Sequence, residues 1–189
     1  MWLRHIYHPN DYLSLFGFTY LKVADIVTFT ESANDGHPDY NLTQVLYGFN
    51  KTASADLLAA IGLADGAGRY ENADNIDKLD SANYYYTSNT LNKALADALA
   101  ANSTTVKDAL ETYITANGGA EMALTDANGS TSASDLPVGL YLLVETKVPE
   151  MVTSTVNPFF VSLPMTTVTG DENSASQDGG QRWNYDVVV

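Results

Sequence analysis

Cysteine is absent from the 189 residues, which excludes disulfide frameworks, thiolate metal sites and cysteine nucleophiles. A chain without cysteine suits export, where no reducing cytosol protects thiols. Positive charge is scarce: nine lysines and arginines stand against 23 aspartates and glutamates, leaving a net charge of −14. A nucleic-acid partner is disfavoured, because neutralising phosphates takes clustered lysine or arginine. Docking on anionic lipid is disfavoured for the same reason. The acids run along the whole chain and read as a solvated, self-repelling surface. Long apolar runs are also missing; the longest, 137–144, is too short to span a bilayer. The start, Met1-Trp2-Leu3-Arg4-His5, lacks the basic and apolar regions of a signal peptide, so an exported protein is expected here as a mature fragment. There is no Gly-x-Ser-x-Gly elbow, Walker loop or dinucleotide fingerprint. What is present, 45% hydrophobic residues with 12 tyrosines, specifies a folded globular chain with a substantial core.

Strand and helix patterns then alternate. Residues 16–30 (FGFTYLKVADIVTFT) are aromatic and β-branched, with Leu21, Val23, Val27 and Phe29 on one side. Phe18, Tyr20, Ala24 and Ile26 fall on the other, which predicts a long strand buried on both faces. Residues 2–8 form a preceding strand closed by the His8-Pro9-Asn10-Asp11 turn, while 40–49 fit strand or helix equally. Residues 54–63 predict a short helix stopped at Asp65-Gly66-Ala67-Gly68. Leu91, Leu95, Ala98 and Leu99 share one helical face; Val106, Leu110, Tyr113 and Ile114 repeat the spacing in a second helix. Thr104 or Thr105 is its expected cap, and Asn117-Gly118-Gly119 its end. These helices make an insertion at about 50–118 between β regions near 2–30 and 121–189.

Strand grammar returns in 121–125, followed by the Asp126-Ala127-Asn128-Gly129 turn. Residues 140–146 and 157–165 are strands, 170–180 a polar loop, and 183–189 (WNYDVVV) a last strand. Short strands with proline- and glycine-marked turns predict a mainly β, immunoglobulin-like β-sandwich with a helical insertion, in a single domain of 1–189. His5 and His8 point to opposite faces of a strand and so share no metal. Asp171-Glu172-Asn173 with Gln177-Asp178 lacks fixed calcium-ligand spacing, and Asp77 and Asp80 fall in polar, loop-like sequence without chemistry of their own. No cofactor or metal is expected.

Glu145 stands out, sharing a strand face with Tyr141 and Leu143 in a segment whose other face is also apolar. Either it lies at the exposed strand end beside Lys147, or it is a buried acid that moves protons between a lysine and an asparagine or aspartate. Here the sequence resembles a family. Tyr141-x-Leu143-x-Glu145-Thr146-x-x-Pro149 is similar to the E-box of Gram-positive, sortase-assembled pilins and their collagen-adhesin B-type immunoglobulin-like domains. Leu136-Pro137-x-Gly139-x-Tyr141, Thr125-Asp126-Ala127-Asn128-Gly129, and Tyr20-x-Lys22-Val23-Ala24-Asp25 resemble the first domain of SpaA-type backbone pilins. So do Asn157-Pro158-Phe159-Phe160-Val161-Ser162-Leu163-Pro164-Met165 and the ending Trp183-Asn184-Tyr185-Asp186-Val187-Val188-Val189. The likeness is strongest from Thr125 onward and weak over 50–117.

The resemblance implies a non-enzymatic shaft subunit of a covalently polymerised, cell-wall-attached pilus outside the cell. Its implied partners are neighbouring pilin subunits joined head to tail, the sortase that joins them, and a host ligand; nucleic acid and membrane are not among them. It also implies an internal lysine–amide bond in some members, for which Glu145 is the acid here and Lys22 with Asn184 or Asp186 the only partners. The family's cross-linking lysine normally lies on the first strand, and residues 2–8 hold no lysine. These residues are therefore expected to remain uncross-linked. The alternative is an adhesin-type module that presents the helical insertion or an exposed Tyr84-Tyr85-Tyr86 segment to a ligand.

Overall fold

A computed structural model describes residues 16–32, 41–71, 79–126, 128–149, 155–168 and 181–188. The expected strand 2–8, His5, His8, Asp77 and the acidic loop 170–180 lie outside them.

The aromatic, β-branched run forms β1 (Gly17–Ser32), whose first half pairs antiparallel with β5 (Gly139–Lys147). Its second half pairs antiparallel with β2 (Asn41–Asn50), which settles the ambiguous segment as strand. Outside β2 lies β3 (Asn83–Tyr86), and outside β5 lies β6 (Phe159–Leu163). The sheet therefore runs β3-β2-β1-β5-β6, with the short β4 (Ala120–Glu121) also on β1. A cis Leu163–Pro164 peptide leads into β7 (Met165–Val168), which pairs with β8 (Gln181–Asn184) in a separate two-stranded sheet. With one main helix between the β regions, this is the mainly β architecture expected, consistent with a β-sandwich carrying a helical insertion.

Directly opposed residues share a sheet face, so the register assigns the faces. Lys22 opposes Tyr141 but Ala24 opposes Leu140, so Val23 is an extra residue in β1. The bulge reverses the alternation: Leu21 and Ala24 lie on the same face, and so do Lys22 and Asp25. The expected grouping of Ala24 and Ile26 with Phe18 and Tyr20 is corrected by this one inserted residue.

Two helices cover one face. The first, α1 (Ala55–Ala60), ends where Gly62 takes φ +78° and Leu63 N donates back to Leu58 O at 2.7 Å. Its stop is thus Gly62, ahead of the expected Asp65-Gly66-Ala67-Gly68. The second, α2 (Ser88–Ala116), is capped by Thr87, whose hydroxyl accepts from Thr90 N at 3.2 Å. It breaks at Asn102 (φ −158°, ψ 84°), where Asn102 Oδ1 accepts from Thr105 N at 3.2 Å. The second half is therefore capped by Asn102 rather than Thr104 or Thr105, at the three-residue reach that a capping side chain needs. Leu57, Leu58, Leu91, Leu110 and Ile114 meet Phe49, Tyr86, Leu140, Leu142 and Val144 in the main core. Each such fully buried side chain contributes roughly 1.5–3 kcal/mol relative to exposure.

Two further expectations change. Strand 121–125 shrinks to two residues, and the last strand stops at Asn184, where Asn184 Oδ1 accepts from Asp186 N at 3.0 Å and turns the chain. The turn after β4 forms as expected: Asp126 Oδ1 accepts from Ser130 N at 2.9 Å and Asn128 N at 2.8 Å. These two bonds, Ser130's foremost, hold the Asp126 carboxyl below its ordinary range.

Tyr86 is fully buried, edge-on to Phe49 with ring centroids 5.8 Å apart, and its hydroxyl donates to Leu63 O at 3.4 Å. Burial, reinforced by Tyr84, pushes its phenol up from 10.0 to about 12. A raised phenol means that stability is fully present below pH 10 and is lost as pH rises towards 12, where the unfolded chain releases the proton first. We expect alkaline unfolding to set in across that window, followed by ultraviolet absorbance of tyrosinate, and to move to higher pH in Tyr86→Phe.

Candidate functional site

Glu145 lies near the end of β5, opposite Phe18 and on the face turned away from the helices. It is half-buried. Oε2 accepts from the backbone N of Val156 at 2.7 Å, while Oε1 is buried without a hydrogen-bond partner among the described residues. The carboxylate thus pins the segment that leads into β6. Thr155, next in chain, is held from the other side, its hydroxyl accepting from Lys107 Nζ of α2 at 2.7 Å. Sequence reasoning singled out Glu145 but missed Val156, Thr155 and Lys107. Eleven and forty-eight residues separate the bonded pairs, and no local pattern encodes such separations.

Lys22 occupies the same sheet face as Glu145, because Lys22 opposes Tyr141 and Glu145 opposes Phe18. Four residues along β5 separate the two positions, roughly 13 Å at a strand's rise per residue. The Lys22 ammonium is held instead by Asp25 Oδ1 at 2.7 Å. An i,i+3 pair in a regular strand points to opposite faces; the Val23 bulge is what brings Lys22 and Asp25 together. Asn184 ends β8 in the other sheet, and its side chain is engaged by Asp186 N; both residues are exposed. Among the described residues the bonds of these candidates are Glu145 with Val156, Lys22 with Asp25, and Asn184 with Asp186.

Around this face, Tyr141 is buried, lies 6.2 Å from Tyr20 between ring centroids, and donates its hydroxyl to Pro137 O at 2.6 Å. Burial raises its phenol above the ordinary range. The Leu136-Pro137-x-Gly139-x-Tyr141 motif is thereby explained as a closed loop: the tyrosine reaches back four residues to the proline carbonyl.

The family model for the Gram-positive pilin subunit D1 N-terminal domain matches residues 69–178, more than half of the chain. The chain belongs to this family. No curated protein and no solved structure matches it. The matched stretch of the pilin domain contains β3, α2 and β4 to β7, so most of the helical segment belongs to the family's own domain. The likeness, expected to be weak over 50–117, thus extends through 69–117. Glu145 lies within the match, whereas Lys22, Asn184 and Asp186 lie outside it. No helix among the described residues is long and apolar enough to cross a membrane.

Two outcomes follow from the geometry around Glu145. Glu145→Gln retains a carbonyl acceptor for Val156 N and removes a charge that has one oxygen unpartnered, so urea unfolding should shift by less than about 1 kcal/mol. Glu145→Ala removes the acceptor and should cost about 1–2 kcal/mol; equal losses in both variants would show that the charge itself is needed. Intact-mass spectrometry of the 189-residue chain should show no deficit, since a lysine–asparagine bond would release ammonia, about 17 Da, and a lysine–aspartate bond water, about 18 Da. A deficit that vanished in Glu145→Ala would overturn this and point to Lys22 as the nucleophile.

Proposed function

We propose that residues 1–189 form one domain, the N-terminal domain of a shaft subunit of a covalently polymerised pilus, outside the cell and attached to the wall of a Gram-positive bacterium. Neighbouring subunits lie head to tail in that reading, a sortase makes the bonds between them, and the domain itself performs no turnover chemistry. The polymer supports adhesion by carrying load away from the surface. The observation that carries the reading is the pilin match over residues 69–178. It is supported by β1, a strand of 16 residues with antiparallel partners on both flanks, which suits a part that transmits tension.

The reading is tested on cells that express the native protein. An antiserum against residues 1–189 should detect, in boiled cell-wall extracts, a ladder of detergent-resistant species that collapses to one band when the sortase gene is deleted. A single monomeric band in the presence of the sortase would overturn it.

A further inference from the structure

We infer that a cleft beside β3 binds a saccharide and selects one that carries a carboxylate. The cleft has a volume of about 420 Å³ and is lined by Lys51, Arg69, Tyr70, Asp80, Asn83 and Tyr84 among others. That volume falls in the range of small-ligand sites, and the lining has their composition, aromatic walls with a few convergent polar groups.

The distribution of charge is the first argument. The chain holds only nine lysines and arginines against 23 acids, yet two of those nine meet over one ring. Lys51 Nζ stands 4.9 Å from the centroid of Tyr84, and the Arg69 guanidinium carbon 6.0 Å from it. Arg69 is already ion-paired with Glu71. Lys51 has no ion pair among the described residues; its ammonium donates to the Ser81 carbonyl at 2.6 Å. An ammonium has three donors, so Lys51 keeps capacity for an incoming carboxylate.

The remaining groups suit sugar hydroxyls. Asp80 is exposed and accepts from Ala82 N through Oδ1 at 2.8 Å, which leaves a second carboxylate oxygen to receive a hydroxyl. The Asn83 amide donates to Tyr85 OH at 3.4 Å, and its carbonyl oxygen is a further acceptor. The walls are fixed beforehand. Tyr85 is buried, and its hydroxyl accepts from Asp80 N at 3.0 Å. A Cβ on Gly66 would lie 2.6 Å from the Tyr84 ring, so backbone packs directly on that tyrosine. Walls held in place in this way reduce the ordering cost of binding. A nucleotide or nucleic acid is a poor match, since one uncommitted ammonium in a chain of net charge −14 does not neutralise several phosphates.

This inference is independent of the shaft role, since polymer formation and sugar titration are read separately. The test is a titration of the full chain followed by amide NMR shifts, using N-acetylneuraminic acid, glucuronic acid and, as neutral control, galactose. Saturable shifts confined to the residues around Lys51, Asp80 and Tyr84 are expected with at least one acidic sugar. Galactose should bind at least about fivefold more weakly, and Lys51→Gln should weaken the acidic sugar by about fivefold or more, while Lys147→Gln should leave it unchanged. Unchanged shifts with both acidic sugars, equal affinity for galactose, or an unaltered Lys51→Gln would each overturn the proposal. Because Lys51 is exposed, its variant is expected to fold, and matching amide spectra of the free proteins check this.

Discussion

Sixteen residues of extended chain, Gly17 to Ser32, are shared between two antiparallel partnerships. A strand of that length spans roughly 50 Å, far beyond the usual five or six residues, and its register fixes every face in the main sheet. A slip of one residue would turn the helix-facing set outward. Such a slip is built into β1 at the Val23 bulge, where β1 leaves β5 for β2. Because of it, Leu21 and Ala24 both point to the helices, and Lys22 and Asp25 pair on the other side. The helix-facing placement of Ala24 and the Lys22–Asp25 salt bridge both follow from that one extra residue.

What could be read from the sequence divides along the same physical line. The nature of β1, β5 and β6 was legible, because β-branched and aromatic runs between turn residues have few other uses. The faces of β1 were not, because alternation continues through a bulge on paper while it reverses in space. Residues 41–50 gave no period because both sides are buried: Phe49 packs on the helices and Leu46 with Tyr85 on the opposite side. The cap at Asn102 escaped for a different reason. The break between the two helical halves is legible from their apolar spacing, but Thr104 and Thr105 stand beside Asn102, and only the backbone angles and the bond to Thr105 N reveal which polar residue is the cap. Tyr84-Tyr85-Tyr86 was expected to be displayed, but β3 pairs with β2 and has buried neighbours on both faces, so Tyr85 and Tyr86 are buried, and Tyr84 and Tyr85 line the cleft.

Glu145 shows how an anomaly can be legible while its meaning is not. A carboxylate in an apolar strand is costly to desolvate, and that much is visible in the sequence. Neither expected arrangement describes it fully: the strand end is close, yet one oxygen is buried and the other holds a backbone amide eleven residues away. The bond closes the connection between β5 and β6 on one side while Lys107 holds it on the other. Among the described residues the acid therefore acts as a clamp on a connection. A clamp requires an acceptor, whereas proton transfer requires a lysine and an amide within reach, and those stand on other elements with partners of their own.

For the shaft role proposed above, the sharing of β1 has a mechanical consequence. Hydrogen bonds between antiparallel strands lie perpendicular to the strands, so force along β1 loads them in shear, many at a time. The β5 ladder holds one half of β1 and the β2 ladder the other, so neither partner can leave without the strand changing its own pairing. The helix-facing side chains of β1, β2 and β5 enter one continuous core with α1 and α2, which couples the two ladders through packing as well. Tension applied at either end of β1 is thus distributed over two ladders and a core. A domain organised in this way gains resistance to extension from the same pairing and packing that fold it.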